Sequence, residues 1–362
     1  PTGAPVEWVR EPNYLFRLSA YQDRLLAHYE ANPGFIEPLA RRNEVVSFVR
    51  AGLRDLSVSR SSITWGIPVP GDPQHVMYVW LDALTNYLSA VGYPDEQDPL
   101  WPFWPADVHL VGKEIARFHA IYWPAFLMAA GLPLPRRVFS HGWWTVEGQK
   151  MSKSLGNVID PLALAATYGV DPLRYFLLRE VPFGSDGDFS RAKLVTRLNV
   201  ELANDLGNLA QRTLSLIARN CGGRLPARAE RTDDDEALTS AAGALPGDMG
   251  DLLARQALHE ALESCWRVIR AANAYIDRQA PWALRKNDPA RMEAVLRILA
   301  DALRSIATVL QPFMPGSMAR MLDQLGVAPD ARTLAALAEP LADGTMLPPP
   351  QGVFPRHVEA EA

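Results

Sequence analysis

Two lysines three residues apart, Lys150 and Lys153, lie in the stretch Gln149-Lys150-Met151-Ser152-Lys153-Ser154-Leu155-Gly156-Asn157, interleaved with hydroxyl side chains. Ammonium groups on a short flexible loop act as mobile point charges and suit a polyphosphate whose charge grows during reaction. A Lys/Ser-rich pentapeptide also reads as a solvated surface turn. Context favours the phosphate reading. The loop follows the apolar run Arg137-Val138-Phe139-Ser140-His141-Gly142-Trp143-Trp144 and precedes a helix start at Asp160-Pro161. Loops leaving strands at the edge of an α/β sheet are where nucleotide phosphates tend to sit.

Further upstream, Trp80, Ala83, Leu84 and Tyr87 fall at i, i+3, i+4 and i+7. Ile115, His119 and Trp123 fall at i, i+4 and i+8. Each set follows an apolar strand-like run, 76–80 and 107–112. The two aromatic-rich helix faces are therefore expected at neighbouring strand ends, on the carboxyl edge of a parallel sheet, where open α/β folds bind ligands. Aromatic stripes at helical spacing also make ordinary core, and a single histidine among them can be a satisfied core residue; spacing alone does not choose. Gly112-Lys113-Glu114 occupies the turn between the second strand and its helix. Glycine there lets backbone approach a ligand, and a carboxylate at a helix start is favoured by the dipole. The same turn also reads as a plain helix N-terminus.

The elements that must position these groups divide the chain in two. Helical periodicity is expected from Tyr14 to Tyr29 and again over 37–49, followed by a short strand at 56–60. Two strand–helix units come next, with helices reaching past Tyr87 and over 115–130, and the run at 138–141 adds a third strand at an edge. Strands alternating with helices imply a parallel sheet covered on both faces. From Lys193 onward only helical stripes remain: Leu202, Leu206, Leu209, Leu216 and Ile217; Leu258, Leu262, Trp266, Ile269 and Ile276; Leu296, Leu299, Leu303, Ile306 and Leu310. These predict a helical bundle. On the polar face opposite the first stripe, Asn204, Asn208 and Arg212 run at i, i+4 and i+8. Trp282 follows Ala280-Pro281, where proline breaks a helix and can leave the indole exposed. An exposed aromatic beside Arg and Asn suits unpaired RNA bases, although polar faces are also commonly just solvated.

With 362 residues, 48% apolar and 21% charged, the chain has room for two or three domains. A net charge of −5 gives no global field for nucleic acid, so an RNA contact must be a local patch. The two cysteines, Cys221 and Cys265, form no Cys-x-x-Cys pair, and no zinc is expected in this chain. No apolar run is long enough to span a bilayer. Two thiols and no recognisable signal peptide fit a cytoplasmic setting.

Lys150-Met151-Ser152-Lys153-Ser154 matches, residue for residue, the second signature of class I aminoacyl-tRNA synthetases. From about Val6 to the last residues, the surrounding sequence resembles the methionyl-tRNA synthetase family. The resemblance implies the second half of a Rossmann-like α/β catalytic domain followed by an all-α anticodon-binding bundle. It places the end of a connective insertion at 1–54, the catalytic half at 55–148, a stem-contact segment with the signature loop at 149–192, the anticodon domain at 193–340 and a tail at 341–362. It implies activation of L-methionine by ATP with Mg²⁺, release of pyrophosphate, and transfer to methionine tRNA by a monomer. Lys150 and Lys153 would be the catalytic pair, stabilising charge as the methionine carboxylate attacks the α-phosphate. ATP would be held by Gly112, Lys113, Glu114, Lys150, Met151, Ser152, Lys153 and Ser154. The methionine pocket would comprise Trp80, Ala83, Leu84, Tyr87, Ile115, His119 and Trp123, with Arg60 near the carboxylate. Aromatics suit a thioether through polarizable S···ring contacts, and His119 would hydrogen-bond the sulfur. Leu84 departs from the proline of some family members. Asn208, Arg212 and Trp282 would read the CAU anticodon.

The earlier His-Ile-Gly-His signature of the class does not occur in this sequence, nor does a zinc knuckle. The expectation is a carboxyl-terminal two thirds that does not activate methionine by itself, with the missing amino-terminal half as a candidate partner; methionine-dependent pyrophosphate exchange by this chain alone would overturn it. Two rival readings remain at this level. One is a class I synthetase for another apolar amino acid, which the Trp80, Tyr87, His119 and Trp123 set argues against. The other is a non-catalytic tRNA-binding or scaffolding fragment, which the intact phosphate loop argues against.

Overall fold

The computed structural model describes residues 11–146, 148–152 and 156–358. Lys153 and Ser154 of the signature loop lie outside the described residues. The chain forms two compact units, Pro1–Trp143 and Trp144–Ala362.

In the first unit a three-stranded parallel sheet has the order Ile36–Glu37, Val138–His141, His109–Gly112. The run at 138–141 is therefore central rather than an edge. Its second neighbour, Ile36–Glu37, is only two residues long, too short for periodicity to register. Helices Gln22–Ala31 and Leu39–Arg50 pack Leu25, Tyr29, Val45 and Val49 against Ile36, Val111, Ile121 and Val138. The Tyr29 hydroxyl donates to the Ala120 carbonyl at 2.5 Å and fixes this layer. The first helix begins later than its apolar pattern suggests: Leu15–Phe16 is a strand paired with Leu56–Ser57, and Leu18–Tyr21 a 3₁₀ turn.

The strand leading to Trp80 is not part of the parallel sheet. Asp72–Met77 sits between Ser59–Arg60 and Pro68–Val69 in a separate antiparallel sheet. The expectation of two adjacent parallel strand ends is corrected here. The physical reason is the turn at Gly71, whose φ of +80° admits a tight reversal, so that Pro68–Val69 and Asp72–Met77 fold into a hairpin. Helix Val79–Ser89 still leaves the end of that hairpin strand, as its spacing predicts.

The second unit starts with a small sheet, Gln149–Lys150, Trp144–Val146, Gly187–Phe189, in that order. Helices then dominate. Asp288 caps helix Pro289–Leu310 by accepting from the Arg291 amide at 2.9 Å, with proline at its first turn. Helices Asp233–Ala254, Leu258–Gln279 and Pro289–Leu310 bury Leu238, Leu262, Trp266, Ile269, Leu296, Leu303 and Ile306 in one core. Leu347, Val353 and Phe354 of the tail are buried in the same core. Among the described residues no helix is long and apolar enough to cross a membrane.

Candidate functional site

The first unit brings Trp80, Tyr87, His119 and Trp123 of the predicted pocket residues into one aromatic cluster. Helix Val79–Ser89 presents Trp80, Leu84 and Tyr87, of which Leu84 is buried and Ala83 exposed. Opposite it, the chain passes from strand His109–Gly112 through a 3₁₀ turn at Lys113–Ile115. A π-helical turn, Phe118–Tyr122, and the helix Trp123–Ala130 follow. The expected continuous helix over 115–130 is thus interrupted by one wide turn, and His119 lies in it. Such π turns are common at functional sites because they re-aim a side chain. Here the His119 ring stands 5.6 Å from Tyr87 and 6.5 Å from Trp80, edge-on to both. Tyr87 lies 6.2 Å from Trp123.

The hydrogen bonds fix the protonation of this cluster. His119 Nδ1 lies 3.0 Å from the Ile115 carbonyl oxygen, which can only accept, so Nδ1 carries the proton. Burial lowers the His119 pKa and keeps the ring neutral, although the Ile115 carbonyl partly opposes that shift. Nε2 therefore accepts the Tyr87 hydroxyl hydrogen at 2.8 Å. This revises the expectation that His119 donates to a sulfur: its one N–H is already committed to Ile115.

Arg60 lies beside this cluster rather than in it. Its guanidinium donates to Ser57 Oγ at 2.9 Å and to its neighbour's carbonyl, Ser59 O, at 2.8 Å, and it stacks 4.4 Å over Tyr78. Glu11 faces it at 3.7 Å. Gly112 leaves room for the Glu114 side chain. A Cβ there would come within 2.6 Å of the Glu114 carboxylate, which folds back over the turn and accepts from Trp143 Nε1 at 2.8 Å. Lys113 lies 4.2 Å over the same indole. The turn therefore carries one cation and one anion, both oriented by Trp143.

In the second unit, Lys150 is exposed at the end of a hairpin strand, with Met151 and Ser152 half-buried after it. Asp188 braces the hairpin by accepting from Thr145 Oγ1 at 2.8 Å and from the Gly148 amide at 2.9 Å. Asn157 closes the loop from its far end: Oδ1 accepts from the Ser152 amide at 2.8 Å, and Nδ2 donates to the Lys150 carbonyl at 3.2 Å.

At the helical end of this unit, Trp282 is 48% exposed and Arg212 stands 5.3 Å over its ring. Asp277 holds the Arg212 guanidinium at 2.6 Å. Asn208 is exposed one turn before Arg212, at the start of helix Asn208–Asn220. Arg212 and Trp282 thus meet on one surface, with Asn208 one turn away on the helix that carries Arg212. Asn204 falls in a preceding π-helical stretch, Leu198–Gly207, which breaks its expected i, i+4 register with Asn208.

Three contributors escape the sequence patterns. Phe118 stacks on Trp80 at 3.8 Å, Asn157 closes the loop, and His109 is buried behind Tyr87. Only His109 leaves a sequence signal, since strand alternation puts His109 and Val111 inward and Leu110 outward. Among the described residues no group of three or more His, Cys, Asp or Glu side chains could hold a metal ion.

A family model described as class I tRNA synthetases (M) matches residues 2–214, and one described as the anticodon binding domain of methionyl tRNA ligase matches residues 225–362. The chain belongs to the methionyl-tRNA synthetase family. Family relatives include the methionine–tRNA ligase of Brucella suis, 58% identical over 362 residues, an alignment spanning 100% of this chain and 70% of the relative. The Mycobacterium bovis methionine–tRNA ligase is 55% identical, over 98% of this chain and 70% of its own length. The Mycobacterium tuberculosis methionyl-tRNA synthetase in complex with methionyl-adenylate superposes with a TM-score of 0.95 at 55% identity, covering 98% of this chain and 71% of that one. Its apo form gives a TM-score of 0.94 at 52% identity, over 99% and 72%.

Proposed function

We propose that this chain acts in a methionine–tRNA ligase, with the chemistry divided among three surfaces. The methionine carboxylate attacks the α-phosphorus of ATP, the bond to the β,γ-phosphates breaks, and methionyl-adenylate and pyrophosphate form. A hydroxyl at the tRNA terminus then takes the methionyl group and AMP leaves. The carboxylate is already a nucleophile, so this first step needs cations more than a base. Lys150 and Lys153 are the cations of this reading, with Gly112, Lys113, Glu114, Met151, Ser152 and Ser154 contacting ATP. Mg²⁺ enters as part of the ATP substrate, where the triphosphate itself supplies the oxygen ligands this hard ion prefers.

The observation that carries the reading is the aromatic cluster of Trp80, Tyr87, His119 and Trp123 around a neutral, internally satisfied histidine. Polarizable ring faces favour a thioether over a hydrocarbon of equal length. Ala83, Leu84 and Ile115 complete the walls, and Arg60 serves the carboxylate side. Asn208, Arg212 and Trp282 form the anticodon-reading face. In this reading the stem-contact segment spans 149–192 and the anticodon domain 193–340, and the protein works as a cytoplasmic monomer. Its two unpaired cysteines are in keeping with a reducing compartment.

The test is affinity for an anticodon stem–loop bearing CAU against one with those bases permuted, at fixed salt. CAU is expected to bind more tightly, and Trp282→Ala to lower CAU affinity about ten-fold or more through lost base stacking. Equal affinity for the two loops would remove the anticodon assignment.

A further inference from the structure

Behind the proposed methionine pocket lies a second histidine that the chemistry above does not use. His109 is only 4% exposed, on the inward face of strand His109–Gly112. Its ring lies 4.2 Å from Tyr87, 5.9 Å from His119 and 6.4 Å from Trp104. Trp123, itself 2% exposed, donates its indole N–H to His109 Nε2 at 3.2 Å. An indole nitrogen can only donate, so Nε2 of His109 must be unprotonated.

We propose that His109 is a positioning residue for methionine recognition, holding the Trp123 indole and backing the Tyr87 ring through a fixed acceptor nitrogen. The inference rests on the pocket reading above. Two parallel chains of hydrogen bonds line the cluster: Trp123 to His109, and Tyr87 through His119 to Ile115. In both, the donated hydrogen is taken up by a ring nitrogen or a backbone carbonyl of the cluster's own residues. At Trp123, Tyr87 and His119 the wall then meets a thioether with ring faces rather than uncommitted donors. Without the His109 acceptor, the buried indole N–H would lose its partner, and the ring could turn to seek another. The site's walls would then shift while the groups that act on ATP stayed in place. Burial and the neighbouring His119 also hold the His109 pKa down, at about 4, so the acceptor persists at neutral pH.

Glutamine can place its carbonyl oxygen near the position of Nε2, whereas the shorter asparagine reaches only the position of Nδ1. The comparison of His109→Gln with His109→Asn therefore tests acceptor placement rather than bulk. Methionine KM and kcat are measured by pyrophosphate exchange in a full-length enzyme in which this chain is joined to an amino-terminal half carrying the earlier class signature. His109→Asn is expected to raise methionine KM about ten-fold with kcat within about two-fold, and His109→Gln to stay within about three-fold of wild type in both. A variant that merely misfolds lowers kcat through the active fraction and leaves KM alone. Equal KM values for the two variants, or a change confined to kcat, overturn the inference and leave the pocket reading standing. A wild-type full-length enzyme that shows no methionine dependence overturns both. If neither variant folds, the Trp123 indole N–H resonance of the unsubstituted protein decides. A downfield position, as for an N–H bonded to imidazole, supports the inference; the position of a free indole overturns it.

Discussion

Asn157 shows how a single side chain can set the geometry of a loop whose chemistry belongs to others. Its amide bonds both the Ser152 N–H and the Lys150 carbonyl, so the two sides of the signature loop are tied before any ligand arrives. Alanine would remove both bonds beside Gly156, whose φ of +65° already favours a turn. Cations that must meet a developing charge lose effect when their positions scatter. Asn157→Ala is therefore expected to lower kcat for adenylate formation about ten-fold while changing methionine KM less than two-fold. Steady-state pyrophosphate exchange by the full-length enzyme carrying the substitution checks this, and a selective rise in methionine KM would contradict it. The pairing of Lys with Ser was visible in the sequence. The brace was not, because an Asn after Gly reads simply as turn chemistry.

Among the elements, helix Asp233–Ala254 depends most on one buried charge. Thr232 and Asp235 form a capping box at its start, with the Thr232 amide donating to Asp235 at 3.0 Å. Asp235 also accepts from Arg291 at 2.5 and 2.7 Å and from the Tyr275 hydroxyl at 2.5 Å, joining the start of this helix to two others. Burial opposes ionisation of Asp235, but Arg291, Tyr275 and the Thr232 amide outweigh it and hold the carboxyl well below the usual carboxylate range. A carboxyl depressed in the folded state stabilises fully above its unfolded pKa, near 3.9, and that stability is lost as pH falls toward the folded value. Asp235→Asn is expected to cost about 3 kcal/mol at pH 7, because it strands Arg291. The gap from wild type should narrow as pH drops below about 4. Urea unfolding at pH 7 and pH 3 measures both; a gap independent of pH would rule out the carboxylate as its source.

For the whole molecule, charge sets the terms of RNA binding. A net charge of −5 supplies no long-range attraction for a polyanion, so affinity has to come from a local surface and from base contacts. Helix Pro281–Asn287, which carries Trp282, ends in the exposed cations Arg285 and Lys286. If these two meet loop phosphates, replacing both with alanine should reduce the slope of log affinity against log salt by about 1.4 and weaken CAU and permuted loops alike. Titrations over a range of salt read the slope. An unchanged slope would place the phosphate contacts elsewhere.

The sequence by itself determined which residues could do the chemistry and which half of the chain each belonged to. Helical spacing placed Trp80, Ala83, Leu84 and Tyr87 on one helix, and alternating apolar stripes separated the α/β part from the bundle, because both signals are local and repeat every few residues. Trp282 after Ala280-Pro281 was legible for the same reason: helix Leu258–Gln279 stops at Ala280, and Pro281 opens the next helix at its first position. Strand partnership was not local. A hairpin turn at Gly71 drew Asp72–Met77 into an antiparallel sheet, and a two-residue strand, Ile36–Glu37, completed the parallel one. Only the tertiary structure could set His109 behind Trp123, give His119 its tautomer and join Asp235 to Arg291. Trp123 with His109 and Arg291 with Asp235 are side-chain contacts across the sequence, while the Ile115 carbonyl reaches His119 through the geometry of a π turn. Burial and the hydrogen-bond partners beside it together set the protonation state, and a one-dimensional pattern contains neither.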